Sequence, residues 1–380
     1  MKKLFLLDAY ALIYRSYYAF IKNPRINSKG LNTSAILGFC NTLNEVLTKE
    51  KPDYIGVAFD HGKTFRNEVF PDYKAQREET PEDIKRSIIK EILNAYHIPI
   101  LQEEGYEADD VIGTIATHTG KMDIETYMLT PDKDYGQIVA TNVYMFRPRH
   151  GGGYDKMGEK EVKTKYGISS TKQIIDLLAL MGDTADNFPG CPGVGEKTAV
   201  KLISQFGSVD ELLANTNQLK GKMKEKVENA IDNIKMSKYL ATIRTDIPID
   251  LKLEDLKIVT PDEKKLDEIF THLEFNSLKS KTLNKGENKK KNVNKQLNLF
   301  ADESDDRKEN FERSDLESLK TIIHDYQLID SQDKMEEICD FFRTKKILSL
   351  DTETTSTHAI DAELVGLSFS VEENQAFYIP

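Results

Sequence analysis

The sequence predicts an α/β fold: a mostly parallel central sheet flanked by helices, joined to a small helical subdomain and followed by a linker and an incomplete second α/β domain. Three observations carry that expectation. Short apolar runs at 4–7, 54–59, 126–129 and 347–350 each lead into an acid, namely Asp8, Asp60, Asp132 and Asp351. Apolar residues recur at helical spacing over 173–181 and 197–206, around a Gly/Pro-rich turn at 190–195. Between about 279 and 313 the apolar pattern collapses into polar and charged residues.

The apolar runs are too short for buried helices, are bounded by turn signals and alternate with helical stretches, so they read as buried strands of a parallel sheet. Ligands of such sheets gather at the strands' carboxyl ends, where these acids sit. The two helical segments and their turn make a compact subdomain. The stretch that follows is first rich in lysine (Lys285, Lys289, Lys290, Lys291, Lys295) and then in acid (Asp302, Glu303, Asp305, Asp306), the composition of a disordered linker. Order resumes near Leu316, and the run at 347–350 opens a domain that Pro380 cuts short. The expected divisions are 1–172, 173–280, 281–316 and 317–380.

With 380 residues, 39% of them hydrophobic, the chain can bury several cores. Its net charge of -11 excludes a uniformly basic coat, so nucleic acid would be met by local basic patches. Cys40, Cys191 and Cys339 lie far apart without ligand spacing, which predicts free thiols in a reducing compartment and argues against zinc. Asp8 and Arg15 interrupt the apolar N-terminus and no small-residue cleavage site follows, so a cytoplasmic protein without a membrane span is expected.

Asp8, Asp60, Glu107, Asp109, Asp110, Asp132, Asp134, Asp183 and Asp186 form the constellation that needs a chemical reason. Any one acid among the 63 Asp and Glu of the chain means nothing; the set at strand ends does. Asp132 and Asp134, two apart, face the same way in extended backbone, while Glu107/Asp110 and Asp183/Asp186, three apart, share a helix face. Gathering these charges would be costly unless divalent cations neutralise them, and all-oxygen ligands select Mg²⁺ or Mn²⁺. Two or more such ions suit hydrolysis of a phosphodiester.

These residues lie in pieces that resemble the 5′ nucleases of bacterial DNA polymerase I and the related flap endonucleases. The pieces are LLDAYALIYRSYYAF, NSKGLNTSAILGF, VAFDHGKTFRNEVFPDYKAQR, EADDVIGTIA, DKDYGQIV and LMGDTADNFPGCPGVGEKTAVKLI, in the family's order and spread over roughly 1–281. The resemblance implies a PIN-like 5′ nuclease core and assigns the same nine acids to the metal site. It implies a mobile helical arch at about 61–92, where Lys74 and Arg77, three apart on a helix, point inward to bind and polarise the scissile phosphate. Arg15 is a further DNA contact by resemblance. Ala9 and Pro131 depart from the family, which commonly has glycine at both positions; Pro131 lacks an N–H and restricts Thr130 to extended backbone.

The segment from Gly190 to Ala199 resembles a helix-hairpin-helix. Gly193 and Gly195 let backbone N–H groups approach a phosphate, the following helix start favours the anion, and Lys197 and Thr198 add contacts. Binding of this kind ignores base sequence. Within the linker, Gln296, Leu297, Asn298, Leu299 and Phe300 resemble the pentapeptide that docks on the bacterial sliding clamp, with Leu297, Leu299 and Phe300 as apolar anchors. In LSLDTETT, Asp351 and Glu353 resemble the first metal motif of an RNase H-like 3′–5′ exonuclease, a site that needs acids this chain lacks.

The expected function is therefore a metal-dependent 5′–3′ exonuclease and flap endonuclease, a monomer acting on DNA flaps, nicks or junctions and on RNA primer 5′ ends, as the front of a polymerase. A junction-binding, clamp-tethering module with a decayed nuclease is the non-enzymatic alternative, against which the complete acid set argues. An RNA-directed nuclease of similar sheet would lack the hairpin.

Overall fold

The computed structural model describes residues 1–75, 86–149, 152–283, 325–355, 363–372 and 375–380. The chain divides into two compact units, Met1–Ala301 and Asp302–Pro380. The lysine-rich linker, Arg77 and the clamp-like pentapeptide at 296–300 lie outside the described residues.

The first unit opens with β1 (Lys2–Asp8), α1 (Ala9–Ala19), α2 (Ser34–Glu45), β2 (Tyr54–Ala58), α3 (Phe65–Val69), α4 (Arg86–Ala95), β3 (Ile100–Leu101), α5 (Ala108–Thr119) and β4 (Ile124–Leu129). A 3₁₀ turn at Lys133–Gln137 leads to β5 (Val143–Pro148), β6 (Tyr154–Met157) and α6 (Glu159–Tyr166). The helical part comprises α7 (Gln173–Met181), α8 (Glu196–Phe206), α9 (Val209–Ala214), α10 (Gly221–Asn229) and α11 (Ile231–Ala241), and α12 (Glu263–His272) and α13 (Asn276–Leu283) return to the sheet.

The strand order is β3-β2-β1-β4-β5-β6, with β6 antiparallel and the rest parallel. Strand β1 shows why the sheet is covered on both faces. Successive strand residues point to opposite sides. Phe5 and Leu7 join the core under α1, α2, α4 and α12, while Leu4 and Leu6 join the core under α5 and α11, and all four are fully buried. The chain leaves β1 for β2 on one side and returns to place β4 on the other, so β1 lies at the reversal of strand order, where a crevice opens beyond the carboxyl ends. A third core, including Leu177, Leu180, Leu202, Ile203, Leu212 and Ile234, holds α7 to α11 together. Among the described residues no helix is long and apolar enough to cross a membrane.

The second unit contains β7 (Asp325–Leu328), α14 (Gln332–Arg343), β8 (Ser349–Thr354), β9 (Leu364–Ser370) and β10 (Gln375–Ile379), in the order β7-β10-β9-β8. Ile338 of α14, Ile329 and Phe377 form its core. The expectation of a buried strand at 347–350 ending at Asp351 is corrected: Ile347, Leu348 and Leu350 are exposed. Asp351 and Glu353 lie within an edge strand, antiparallel to β9, and not at its end. Leu348 and Leu350 belong to none of the cores formed by the described residues, which is why this apolar run stays in solvent.

Candidate metal centre

Asp8 ends β1, Asp60 follows β2, Glu107 and Asp109 open α5, and Asp132 follows β4; together they line one cleft of about 1140 Å³. Tyr10, Tyr14, Tyr17 and Tyr18 of α1 line it too, as do Tyr73, Lys74 and Tyr135.

Several of these acids are aimed by a backbone N–H. Asp8 caps α1, its Oδ1 accepting from Ala11 N at 3.1 Å. Asp60 Oδ1 accepts from Ala108 N at 2.8 Å, Asp132 Oδ1 from Asp134 N at 2.9 Å and Asp183 Oδ1 from Ala185 N at 2.8 Å. A carboxylate suits a helix start because it satisfies an orphan donor there. Asp8 Oδ2 also accepts from Thr130 Oγ1 and Tyr135 Oη, both at 3.2 Å.

Arg66 organises the other side. Its side chain is 1% exposed, and its two terminal nitrogens reach Asp110 at 2.7 and 2.8 Å in a bidentate pair. It donates as well to Glu107 Oε2 at 3.1 Å, to Leu240 O at 2.9 Å and to Thr242 O at 2.8 Å, tying the end of α11 to the start of α5. Glu107 further accepts from Tyr73 Oη at 3.1 Å and from Lys74 Nζ at 2.8 Å. One oxygen each of Glu107, Asp109 and Asp110 lies within 4.8 Å of the others. Both oxygens of Asp110 are thus already engaged by Arg66, so it reaches a cation only by sharing them.

Asp109 Oδ1 and Asp134 Oδ1 are buried with no hydrogen-bond partner among the described residues. Orphaned buried carboxylate oxygens are costly unless something outside the chain satisfies them. Burial, with Asp110 beside it, pushes Asp109 well above the usual carboxylate range. Burial and the Asp132 charge do the same to Asp134. Burial and Asp60 raise Asp8 to about 7. By contrast, burial works against the charges of Glu107 and Asp183, but Lys74 and Arg66 on the first and Lys133 on the second outweigh it and hold both below the usual range. An all-oxygen set with unsatisfied atoms and proton-retaining carboxyls fits divalent hard cations.

Three local expectations are corrected. Asp132 keeps extended backbone but Asp134 does not: Asp134 lies in the 3₁₀ turn that Asp132 caps, accepting the Asp134 N–H, because a short acid at a turn start finds that donor first. Asp183 and Asp186 share no helix face. Helix α7 ends at Met181 because Gly182 turns out at φ +70°, and the two acids lie in a turn closed by paired hydrogen bonds between Asp183 and Phe188. Lys74 is in a left-handed turn at φ +57° and not on a helix, held there by Asp186 O, which accepts its N–H at 3.0 Å. Asp186 itself receives Tyr73 Oη at 3.4 Å.

The remaining candidates are placed as follows. Arg15 on α1 donates to Arg149 O at 2.9 Å. Gly193 sits at φ +75° in the exposed turn between α7 and α8, Gly195 caps α8, Lys197 is exposed in its first turn, and Thr198 N donates to Gly195 O. No third His, Cys, Asp or Glu forms a ligand group with Asp351 and Glu353 among the described residues. Arg66, Tyr73, Thr130, Lys133 and Tyr135 escaped the reading of the sequence. The signal for Arg66, Tyr73, Lys133 and Tyr135 was their place inside the motif pieces, and for Thr130 its position before Pro131.

Residues 3–167 match the family model described as 5′-3′ exonuclease, N-terminal resolvase-like domain, and residues 169–264 match 5′-3′ exonuclease, C-terminal SAM fold. The 5′-3′ exonuclease of Aquifex aeolicus is 40% identical over 281 residues, covering 73% of this chain and 94% of that protein. DNA polymerase I of Bacillus subtilis is 42% identical over 283 residues, covering 73% of this chain but 32% of that protein. DNA polymerase I of Bacillus caldotenax is 38% identical over 307 residues, covering 79% and 34%. The chain thus spans about a third of the length of the two polymerases. In fold it is similar to the T5 5′-exonuclease with bound zinc, at a TM-score of 0.53 and 20% identity, covering 72% of this chain and 99% of that one.

Proposed function

The chain belongs to the 5′-3′ exonuclease family, and from that premise we propose that it cuts 5′ flaps, nicked 5′ ends and RNA primer 5′ ends with two or more Mg²⁺ or Mn²⁺ ions. The observation that carries the reading is the convergence of Asp8, Asp60, Glu107, Asp109 and Asp132 on one cleft, with buried oxygens of Asp109 and Asp134 left unsatisfied. A site that served only to bind DNA would have no reason to bury uncompensated carboxylates.

In this reading the ions are held by Asp8, Asp60, Glu107, Asp109, Asp110, Asp132, Asp134, Asp183 and Asp186. Divalent cations there supply activation of water and neutralisation of charge at phosphorus. The chain's own residues do the rest. Arg66 and Tyr73 fix Glu107, and helix starts fix Asp8, Asp60 and Asp132. Lys74, beside the cleft, and Arg77 offer positive charge to the scissile phosphate. A cation bound there would favour the ionised form of Asp8. Gly193, Gly195, Lys197 and Thr198 grip the DNA backbone, with Arg15 adding a contact, so that the junction's shape and not its sequence selects the substrate.

The relatives named DNA polymerase I support a longer parent in which this nuclease serves replication and repair; its place in the cytoplasm and a tether to the sliding clamp through Gln296, Leu297, Leu299 and Phe300 rest on the sequence alone. A 5′-labelled flap tests the proposal: Mg²⁺ should give a cut at the junction between single and double strand, and EDTA should abolish it. Metal-independent cutting, or cutting spread evenly along unbranched duplex, would refute it.

A further inference from the structure

We propose that Lys133 is a resident counter-ion: its ammonium occupies Asp183 while no divalent cation is bound there and must leave when one binds, so Lys133 sets the affinity of that position. The inference rests on the metal-centre reading above. Lys133 Nζ stands 2.8 Å from Asp183 Oδ2. The pair is lopsided, with the Asp183 side chain 14% exposed and that of Lys133 44% exposed. The carboxylate is also pinned, its Oδ1 accepting from Ala185 N at 2.8 Å. The lysine is therefore the partner free to move, and it can swing into solvent.

An ammonium and a divalent cation repel at carboxylate distances, so a lysine that can swing away, as Lys133 can, gives way when a cation binds Asp183. Lys74 on Glu107 differs: its side chain is 21% exposed, it lies 5.0 Å from the Tyr73 ring centre, and its backbone is bonded to Asp186. It is anchored where Lys133 is not. Asp109 carries a buried oxygen with no partner among the described residues, so a cation held at that atom displaces no ammonium from it, whereas at Asp183 it displaces Lys133. Two unequal classes of cation position follow, and the one at Asp183 is the weaker.

The test is Mn²⁺ binding to the whole chain without DNA, followed by the electron paramagnetic resonance signal of the free ion. Lys133→Met should tighten the weaker class by about fivefold, the range of a partly exposed ion pair, and leave the stronger class unchanged. Lys133→Arg should match wild type. Lys63→Met, which removes an exposed charge near Asp60, should move neither class. A Lys133→Met protein with unchanged or weakened binding, with both classes shifted alike, or a wild type with one class of sites overturns the proposal. A wild type that binds no Mn²⁺ at all overturns the metal centre itself. Thermal melting checks that the variants are folded, and Lys133→Gln serves if Lys133→Met is not.

Discussion

The cleft's carboxylates divide by their neighbours. Glu107 and Asp183 keep their charge beside cations, while Asp8, Asp109 and Asp134 are pushed toward the protonated form. For Asp8 the folded value of about 7 lies above the ordinary 3.8. The metal-free folded state thus binds this proton more tightly than the unfolded chain, and stability falls as pH rises through the interval between those values. In EDTA, the unfolding free energy of wild type should fall with pH more steeply than that of Asp8→Asn there, by at most about 1.4 kcal/mol per pH unit. Parallel denaturation profiles would contradict this. Arg66 supplies a second prediction, because its loss would leave the Asp110 carboxyl fully buried without its ionic partner. Arg66→Met should cost about 3–5 kcal/mol in denaturant unfolding, and a loss under about 1 kcal/mol would show the pair to be replaceable. Asp8, Asp60 and Asp132 were legible in the sequence because they follow apolar runs. Arg66 was not, because its partners lie 41 to 176 residues away and nothing local marks them.

Elements place those residues, and glycines shape the turn that carries Asp183. Gly182 and Gly190 both have positive φ, and a Cβ on Gly190 would stand 2.2 Å from Gly182 N. At Gly195, where φ is -97°, a Cβ would meet nothing within 4 Å. Gly190→Ala should therefore destabilise the protein by about 2 kcal/mol or more, against about 1 kcal/mol or less for Gly195→Ala at a helix N-cap. Equal unfolding midpoints for the two variants would refute the close approach. Spacing revealed that helices flank this turn but not where α7 stops. The apolar residues at 177–181 continue a helical pattern up to the glycine, and only the left-handed backbone there decides the end. Lys74 was misplaced for a related reason. Its neighbours allow a helix, and the tertiary bond to Asp186 O holds it in the left-handed turn instead.

At the scale of the molecule, the reversal of strand order at β1 gathers acids from three parallel strands, and that much was readable from apolar runs ending in Asp8, Asp60 and Asp132. The fourth run misled, because an exposed edge strand carries the same apolar residues as a buried one and only its packing differs. Among the described residues, both main cores of the sheet draw solely on residues before 284. A chain ending at Leu283 should therefore keep the unfolding midpoint of the first unit, measured by circular dichroism, and a lowered midpoint would show that later residues support it. The most direct test of the account is single-turnover cleavage of a 5′ flap in Mg²⁺ by wild type and by Asp134→Ala, with flap affinity measured in parallel. The account predicts a loss of about a thousandfold or more in the cleavage rate, about 4 kcal/mol of barrier, with affinity little changed. A loss below about tenfold would contradict the metal centre as the seat of the reaction.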